Sequence, residues 1–338
     1  RVGLLLPNCP QFVIAFQAVV TIGAIVTNIN PMYTVEELKF IVNDTGLTTL
    51  ITFEGVIDNI MTLTTEVDVP RVIVTRVADY MPNMDTSTAE SLNLNEGWHH
   101  FSELLAKTET TVKPRVNIDI HNDPAVIQFT GGTTGIPKGA VLSHRSIVAA
   151  ISASYAWGTT LLNQVPVERR TALCLIPYCH IYGQLSAMGW SIITGATQII
   201  LPRFDINEVM DVIGKFKEIT YFPTVPTMLG AIVNHPKAQE MDLGRKFILI
   251  GNGGAPCPDE LVKKLWDMDI YYQNGYGMSE TTGQASSEPN LGPKKLGSVG
   301  VPFPDVDLKV INPQTDEELL RGEVGEIVLT GPFNMMGY

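Results

Sequence analysis

The 338-residue chain is poor in the features that mark several large protein classes. It has four cysteines, Cys9, Cys174, Cys179 and Cys257, with no Cys-x-x-Cys pair and no regular spacing. That argues against a disulfide framework or zinc site and for incidental thiols in a reducing, cytoplasmic setting. Positive charge is scarce: 23 Lys and Arg against 35 Asp and Glu leave a net charge of −12. A nucleic-acid backbone is therefore an unsuitable partner. Long apolar runs are missing too. No charge occurs between Arg1 and Glu36, but Gln17 and Gly23 interrupt the run at 12–27, and Pro7, Asn8 and Pro10 precede it. A buried helix fits that stretch better than a membrane span. There is no internal repeat and no targeting signal.

What is present is enough to build a core. The chain is 45% hydrophobic and only 17% charged, and its length suits one large domain or two modest ones. Strand patterns at 2–6, 25–28, 49–53 and 71–75 alternate with helix patterns at 10–21 and 35–44, which implies βαβ units and parallel sheets covered on both faces. Residues 78–96, rich in Asn, Ser, Thr and Met, read as an exposed loop. Further strands are expected at 140–142, 171–176, 196–202, 221–223, 247–250 and 270–273. Helices are expected from 144 through 157, at 207–217 and at 226–234, with Ser143 as an N-cap. Near the end the pattern changes. Strands at 297–302, 306–311, 313–318 and 323–330, joined by Pro, Asp and Gly turns, suggest an antiparallel hairpin or small barrel.

The densest chemistry lies at 129–139, Phe-Thr-Gly-Gly-Thr-Thr-Gly-Ile-Pro-Lys-Gly, behind the apolar run Ala125-Val126-Ile127. Glycines allow backbone N–H groups to converge on an anion, and Lys138 adds a point charge, so a polyphosphate is the fitting ligand. It is not the Gly-x-x-x-x-Gly-Lys loop, because Pro137 stands before Lys138. A plain surface turn is the bland alternative.

Three further stretches carry chemistry. In Pro177-Tyr178-Cys179-His180-Ile181-Tyr182-Gly183 a histidine follows a strand, where parallel sheets bind ligands, although a packed histidine fits the spacing as well. Adjacent residues on an extended segment face apart, so Cys179 and His180 make a poor nucleophile pair. Gly251-Asn252-Gly253-Gly254-Ala255-Pro256 partly fits a dinucleotide fingerprint, but Pro256 replaces the last glycine and the next strand ends in Gln273-Asn274 without an acid. In Asn274-Gly275-Tyr276-Gly277-Met278-Ser279-Glu280-Thr281-Thr282, Tyr276 can stack on a purine, Ser279 can bond a phosphate and Glu280 can hold Mg²⁺. A tight turn capping a helix is the structural alternative. Gly277-x-Ser279 lacks the closing glycine of a nucleophile elbow.

These stretches, in this order, resemble the signatures of adenylate-forming enzymes: acyl-CoA synthetases, coumarate-CoA ligases, luciferases and peptide-synthetase adenylation domains. Gly131 stands where the family usually has serine, Ser279 replaces a threonine, and Asn274 stands where many relatives carry glutamine. The resemblance implies two mixed, mainly parallel sheets sandwiched by helices in αβαβα layers. It also implies a small distorted antiparallel β-barrel, with residues 1–290 as the core and 291–338 as the start of the barrel. A carboxylic acid, ATP and CoA would be the substrates, by way of an acyl-adenylate, with Mg²⁺ required and a homodimer conceivable. Thr130, Gly131, Gly132, Thr133, Thr134, Gly135 and Lys138 would grip the β,γ-phosphates. Glu280 and Thr134 would serve Mg²⁺, and Ser279 the α-phosphate. Gly254, Ala255, Pro256, Asn274, Gly275, Tyr276 and Gly277 would surround the nucleotide, and His180, Gly253 and Gly254 the acyl group.

The absence of an acid near His180 favours a plain carboxylic acid, medium- or long-chain or aryl, over an amino acid. Gln184 stands where some long-chain relatives have a gating tryptophan, so chain length stays open. The family continues past Tyr338 into a mobile domain with a catalytic lysine, and this chain begins without Met. A piece of a longer protein is therefore expected, and a nucleotide-binding module without catalysis, or a serine hydrolase at Ser279, are the rival readings.

Overall fold

The computed structural model describes residues 1–81, 92–108, 114–130 and 137–338. Seven strands build the first sheet: β1 (Val2–Leu4), β2 (Val26–Asn28), β3 (Thr49–Phe53), β4 (Arg71–Thr75), β5 (His99–His100), β6 (Pro124–Thr130) and β7 (Lys138–Ser143). Their order is β5-β4-β3-β1-β2-β6-β7, parallel throughout except for antiparallel β6 and β7. The second sheet uses β8 (Thr171–Cys174), β9 (Thr197–Ile200), β10 (Ile219–Thr224), β11 (Phe247–Asn252), β12 (Tyr272–Tyr276), β13 (Ser286–Ser287) and β14 (Val301–Pro302). Its order is β14-β13-β12-β11-β10-β8-β9, with only β13 and β14 antiparallel to their neighbours.

Helices cover both faces because the strands are apolar on both. Leu38 and Ile41 of helix Val35–Thr45, with Ile60 and Leu63 of helix Ile57–Glu66, pack on Leu50 and Val72 of the first sheet. Val209, Met210 and Ile213 of helix Ile206–Lys215 pack on Phe222 and Ile250 of the second. Between the sheets, Phe12, Ala15 and Phe16 of helix Pro10–Thr21 and Ile147, Ala150 and Ala153 of helix His144–Leu162 join Val126 and Leu142 to Ala172 and Cys174. The uncharged N-terminal stretch is thus a core helix. Among the described residues no helix is long and apolar enough to cross a membrane.

Local signals set the helix ends. Thr34 and Glu37 form a capping box at the start of Val35–Thr45, and Gly46 ends it at φ +56°. Ser143 accepts the Ser146 N–H at 3.0 Å, the expected N-cap.

Two expectations need correction. Residues 177–180 form a turn, closed by His180 N–H to Pro177 O at 3.0 Å, rather than an extended segment. A π-helical segment, Gly183–Gly189, follows. At the C-terminal end, Val301–Pro302 joins the second sheet as β14, β15 (Asp307–Ile311) pairs with β16 (Glu326–Thr330), and residues 313–318 form a turn with a single bridge from Glu318 to Ile311. A barrel needs more strands to close, and no closed barrel forms among the described residues. Of the loop expected at 78–96, Val77–Tyr80 is a single 3₁₀ turn and 82–91 lie outside the described residues.

Candidate active site

The carboxyl ends of β10 and β11 lie in register at Thr224 and Asn252. There the chain leaves β11 through Gly253, whose N–H donates to Thr224 O at 3.2 Å, and Gly254, held at φ +76°. A side chain rarely adopts that φ, so Gly254 is required by the turn. Beside it β12 delivers Gly275 and Tyr276. A cavity of about 230 Å³ opens at this edge, and Gly253, Gly254, Gly275, Tyr276, Gly277, Ser279 and His180 all line it.

The turn carrying Ser279 is stitched tightly. Met278 donates its N–H to Thr281 Oγ1 at 3.1 Å, and Gly283 N–H donates to Met278 O at 2.8 Å. A Cβ on Gly277 would stand 2.2 Å from Gly283 O. The C-terminal segment fastens the turn from outside: Thr282 Oγ1 donates to Phe333 O at 2.6 Å, and Met335 N–H to Glu280 O at 2.8 Å.

The same segment joins two predicted site residues. Tyr338 Oη donates to Glu280 Oε1 at 2.7 Å, while Lys138 Nζ lies 5.2 Å from the centre of the Tyr338 ring. Gly337 pairs with Val141 on the edge of β7, which places the segment there. Lys138 opens β7 directly opposite Thr130 at the end of β6, so the glycine-rich stretch connects a hairpin rather than a strand and a helix. Gly131, Gly132, Thr133, Thr134 and Gly135 lie outside the described residues.

His180 sits at the rim. Its Nδ1 accepts the Tyr182 N–H at 3.2 Å, which leaves Nε2 as the donor of the neutral ring. The residue is exposed at the cavity rim, and partial desolvation there lowers the imidazole pKa. A second space of about 370 Å³, bordered by Asn28, Gln128 and Cys179, meets the first at His180, Tyr182 and Gly254.

Not every predicted residue reaches the cavity. Ala255 and Pro256 are exposed beyond the turn. Asn274 is buried: its Oδ1 accepts from Asn252 Nδ2 at 3.0 Å, its Nδ2 donates to Ser298 O at 3.1 Å, and its N–H donates to Glu288 Oε2 at 2.8 Å. It braces β12. Cys179 is no nucleophile partner for His180, since burial pushes its thiol up to about 12. Ser279 Oγ bonds no histidine among the described residues.

Sequence reasoning missed Tyr182, Trp190 and Tyr221 of the second sheet's side and Ser154, Trp157 and Gly158 of helix His144–Leu162, all of which line the cavity. The helical trio was legible as an i, i+3, i+4 stripe. The cavity lining contains no Asp, Glu, Lys or Arg among the described residues. Groups of three or more His, Cys, Asp or Glu placed to hold a metal are also missing among the described residues.

Two mainly parallel sheets in helical layers, with strand-end glycines around a cavity, define a layered two-sheet class of α/β protein. The chain belongs to the AMP-binding enzyme family, whose model matches residues 1–338. It is 32% identical to a long-chain-fatty-acid–CoA ligase of Bacillus subtilis, over 100% of this chain and 61% of that protein. It is 30% identical to 4-coumarate–CoA ligase 4 of Arabidopsis thaliana, over 100% of this chain and 57% of that protein. A solved long-chain-fatty-acid-CoA ligase from Archaeoglobus fulgidus superposes with a TM-score of 0.83 at 26% identity, covering 100% of this chain and 64% of that one. The chain therefore spans about three-fifths of the length of these relatives.

Proposed function

We propose that the chain is the nucleotide- and acyl-binding part of an ATP-dependent acid–CoA ligase. A carboxylate oxygen attacks the α-phosphorus of ATP, and the bond to pyrophosphate breaks. The CoA sulfur, losing its proton, then displaces AMP from the acyl carbon to leave a thioester. The observation that carries this reading is the convergence of Gly253-Gly254, Tyr276–Ser279 and His180, distant in sequence, on one cavity. On this reading residues 1–290 hold the ATP and acyl sites, and residues 291–338 begin a smaller subdomain.

The first step brings two anions together, so fixed positive groups and dipoles must offset their repulsion. Lys138 supplies charge at the phosphate end, Ser279 a hydroxyl for the α-phosphate, and Tyr276 a ring face for adenine. Mg²⁺ bound with the nucleotide would neutralise phosphate charge. Glu280 as a lone carboxylate fits that ion, which takes its other ligands from phosphate and water. Neutral His180 adds no competing charge beside the acyl group. A lining without ionic side chains suits a plain carboxylic acid rather than an amino acid.

Carboxylate-dependent exchange of pyrophosphate into ATP tests the reading, with this chain and with the protein extended to its relatives' length. Stimulation by a fatty or aryl acid supports it. ATP binding without exchange for every such acid in the extended protein leaves a nucleotide-binding module instead, and labelling of Ser279 by a fluorophosphonate would favour a hydrolase.

A further inference from the structure

One wall of the cavity is built where helix His144–Leu162 meets residues 284–303. Two contacts make the join. Gln284 Nε2 donates to Ser154 Oγ, and one helical turn further on the Trp157 ring lies 5.1 Å from that of Phe303, centroid to centroid. All four residues line the cavity. Further bonds hold the two contacts side by side: Phe303 N–H donates to Ala285 O at 3.1 Å, and Trp157 Nε1 donates to Glu288 O at 3.2 Å.

The polar contact is only half satisfied. Gln284 is 4% exposed, and its Oε1 is buried with no hydrogen-bond partner among the described residues. The Ser154 hydroxyl accepts from the amide but donates to no acceptor among the described residues. Interchanging the amide oxygen and nitrogen does not remove the deficit. Ser154 would then donate to the oxygen, and the nitrogen would be left over instead. A buried amide is costly to leave unpaired, so the ligand has to supply its partner.

The rest of the lining selects that partner. Its aliphatic side chains are Ile181, Leu249 and Met278 alone among the described residues, which is little cover for an alkyl chain. An alkyl chain laid against Gln284 would also shut the amide away from water without pairing it. A second charge on the acid would find no counter-ion in the lining. A hydroxyl both donates and accepts, so it completes the pair whichever way the amide is turned. Trp157 and Phe303, beside the pair, offer ring faces to an aromatic group that carries the hydroxyl.

We infer that Gln284 and Ser154 read a hydroxyl group on the acid, so that the site prefers a hydroxylated aromatic carboxylic acid to its unsubstituted parent and to fatty acids. This rests on the ligase reading and adds a specificity determinant that the reading does not contain. Such discrimination is strong because an analogue without the hydroxyl leaves the protein's own buried groups unpaired.

Binding of N-acylsulfamoyl adenosines, stable mimics of an acyl-adenylate, tests the inference by calorimetry without requiring turnover. Benzoyl and cinnamoyl forms, each plain and with one hydroxyl at the meta or para position, make the series together with acetyl and octanoyl forms. The best hydroxylated form should bind at least about tenfold more tightly than its plain parent and than the octanoyl form. In Gln284→Leu, or in Ser154→Ala if the first variant fails to fold, the ratio of hydroxylated to plain affinity should fall at least about tenfold, toward one. Binding of the plain or octanoyl form as tightly as every hydroxylated form, by the unaltered protein, overturns the inference. So does an unchanged ratio in a folded variant. Binding of no member, the acetyl form included, overturns the ligase reading itself and this determinant with it.

Discussion

Tyr338 touches both Glu280 and Lys138, one through its hydroxyl and the other through its ring face. Those two contacts can be separated. Tyr338→Phe keeps the ring beneath the ammonium but releases Glu280 Oε1, so the carboxylate loses its fixed orientation. We expect Mg·ATP affinity to fall severalfold in this variant, with the Mg²⁺ concentration needed for half-maximal binding rising in step. Lys138→Ala should weaken ATP whether or not Mg²⁺ is present, since it removes a charge directed at phosphate, and its melting temperature should hold. Its ammonium is exposed, so the lost ring contact is worth only about 0.5–1 kcal/mol. Calorimetric titration with and without Mg²⁺ separates the two; identical behaviour would remove the distinct role given to Tyr338. His180 makes a pH prediction. Its folded pKa lies below the unfolded value of about 6.5, so the unfolded chain takes up the proton first. Stability contributed by this ring is thus full above pH about 6.5 and declines as pH falls toward the folded pKa. His144, also lowered by burial, adds to the same slope. His180→Gln should flatten part of the acid limb in denaturant titrations, and an unaltered limb would count against its desolvation.

At the level of elements, the alternating βαβ pattern was legible because apolar runs such as Ala125-Val126-Ile127 are buried on both faces. The cavity-edge turns were legible because Gly254, and Gly277 with its absent Cβ, are stereochemical necessities. The hairpin of β6 and β7 was harder to see. Apolar periodicity does not distinguish an antiparallel partner from a parallel one, and Thr130 facing Lys138 is a matter of register. The 177–180 turn was misread for a related reason: Cys179 and Tyr178 look like strand residues by propensity, but the contacts that fold them back come from elsewhere in the chain. Gly277→Ala tests how far the tight turn matters. Its Cβ would meet a backbone oxygen at 2.2 Å, which no side-chain rearrangement relieves. A loss of about 1–3 kcal/mol in unfolding free energy is expected. Nucleotide affinity should fall by about a hundredfold as Tyr276 and Ser279 shift, the scale of effect seen when a site is displaced by an ångström. Wild-type affinity in this variant would show that the turn tolerates a different path.

Across the whole molecule, the two sheets are held together by buried amides that no local pattern announces. Asn8, just past β1, donates from Nδ2 to Ile176 O at 3.0 Å and Cys174 O at 3.3 Å, and accepts the Tyr178 N–H at 2.7 Å. Asn28 donates to Gln128 Oε1 at 2.9 Å and also bonds Gln184, while Gln128 Nε2 reaches Cys179 O at 3.0 Å. Sequence separations above 150 residues put the Asn8 contacts beyond any periodicity, so the join between sheets could not be read from the chain alone. Its consequence is functional, because Tyr178 and Cys179 sit in the turn that ends at His180. Asn8→Ala takes the Asn8 partner from Ile176 O and the Tyr178 N–H, while Cys174 O keeps the Leu201 N–H at 3.3 Å, and unsatisfied buried groups cost about 1–3 kcal/mol each before relaxation. We expect a net loss of about 3 kcal/mol and a melting temperature lower by several degrees. The acyl-adenylate mimic should also bind more weakly, since the rim that carries His180 loses its anchor to the first sheet. Lys39→Ala provides the contrast: its pairing with Glu66 is at the surface, and removing it should leave the melting temperature and binding essentially unchanged. If Asn8→Ala melts like the Lys39 variant and binds the mimic normally, the amide staple is dispensable and the sheets are held by apolar packing between them.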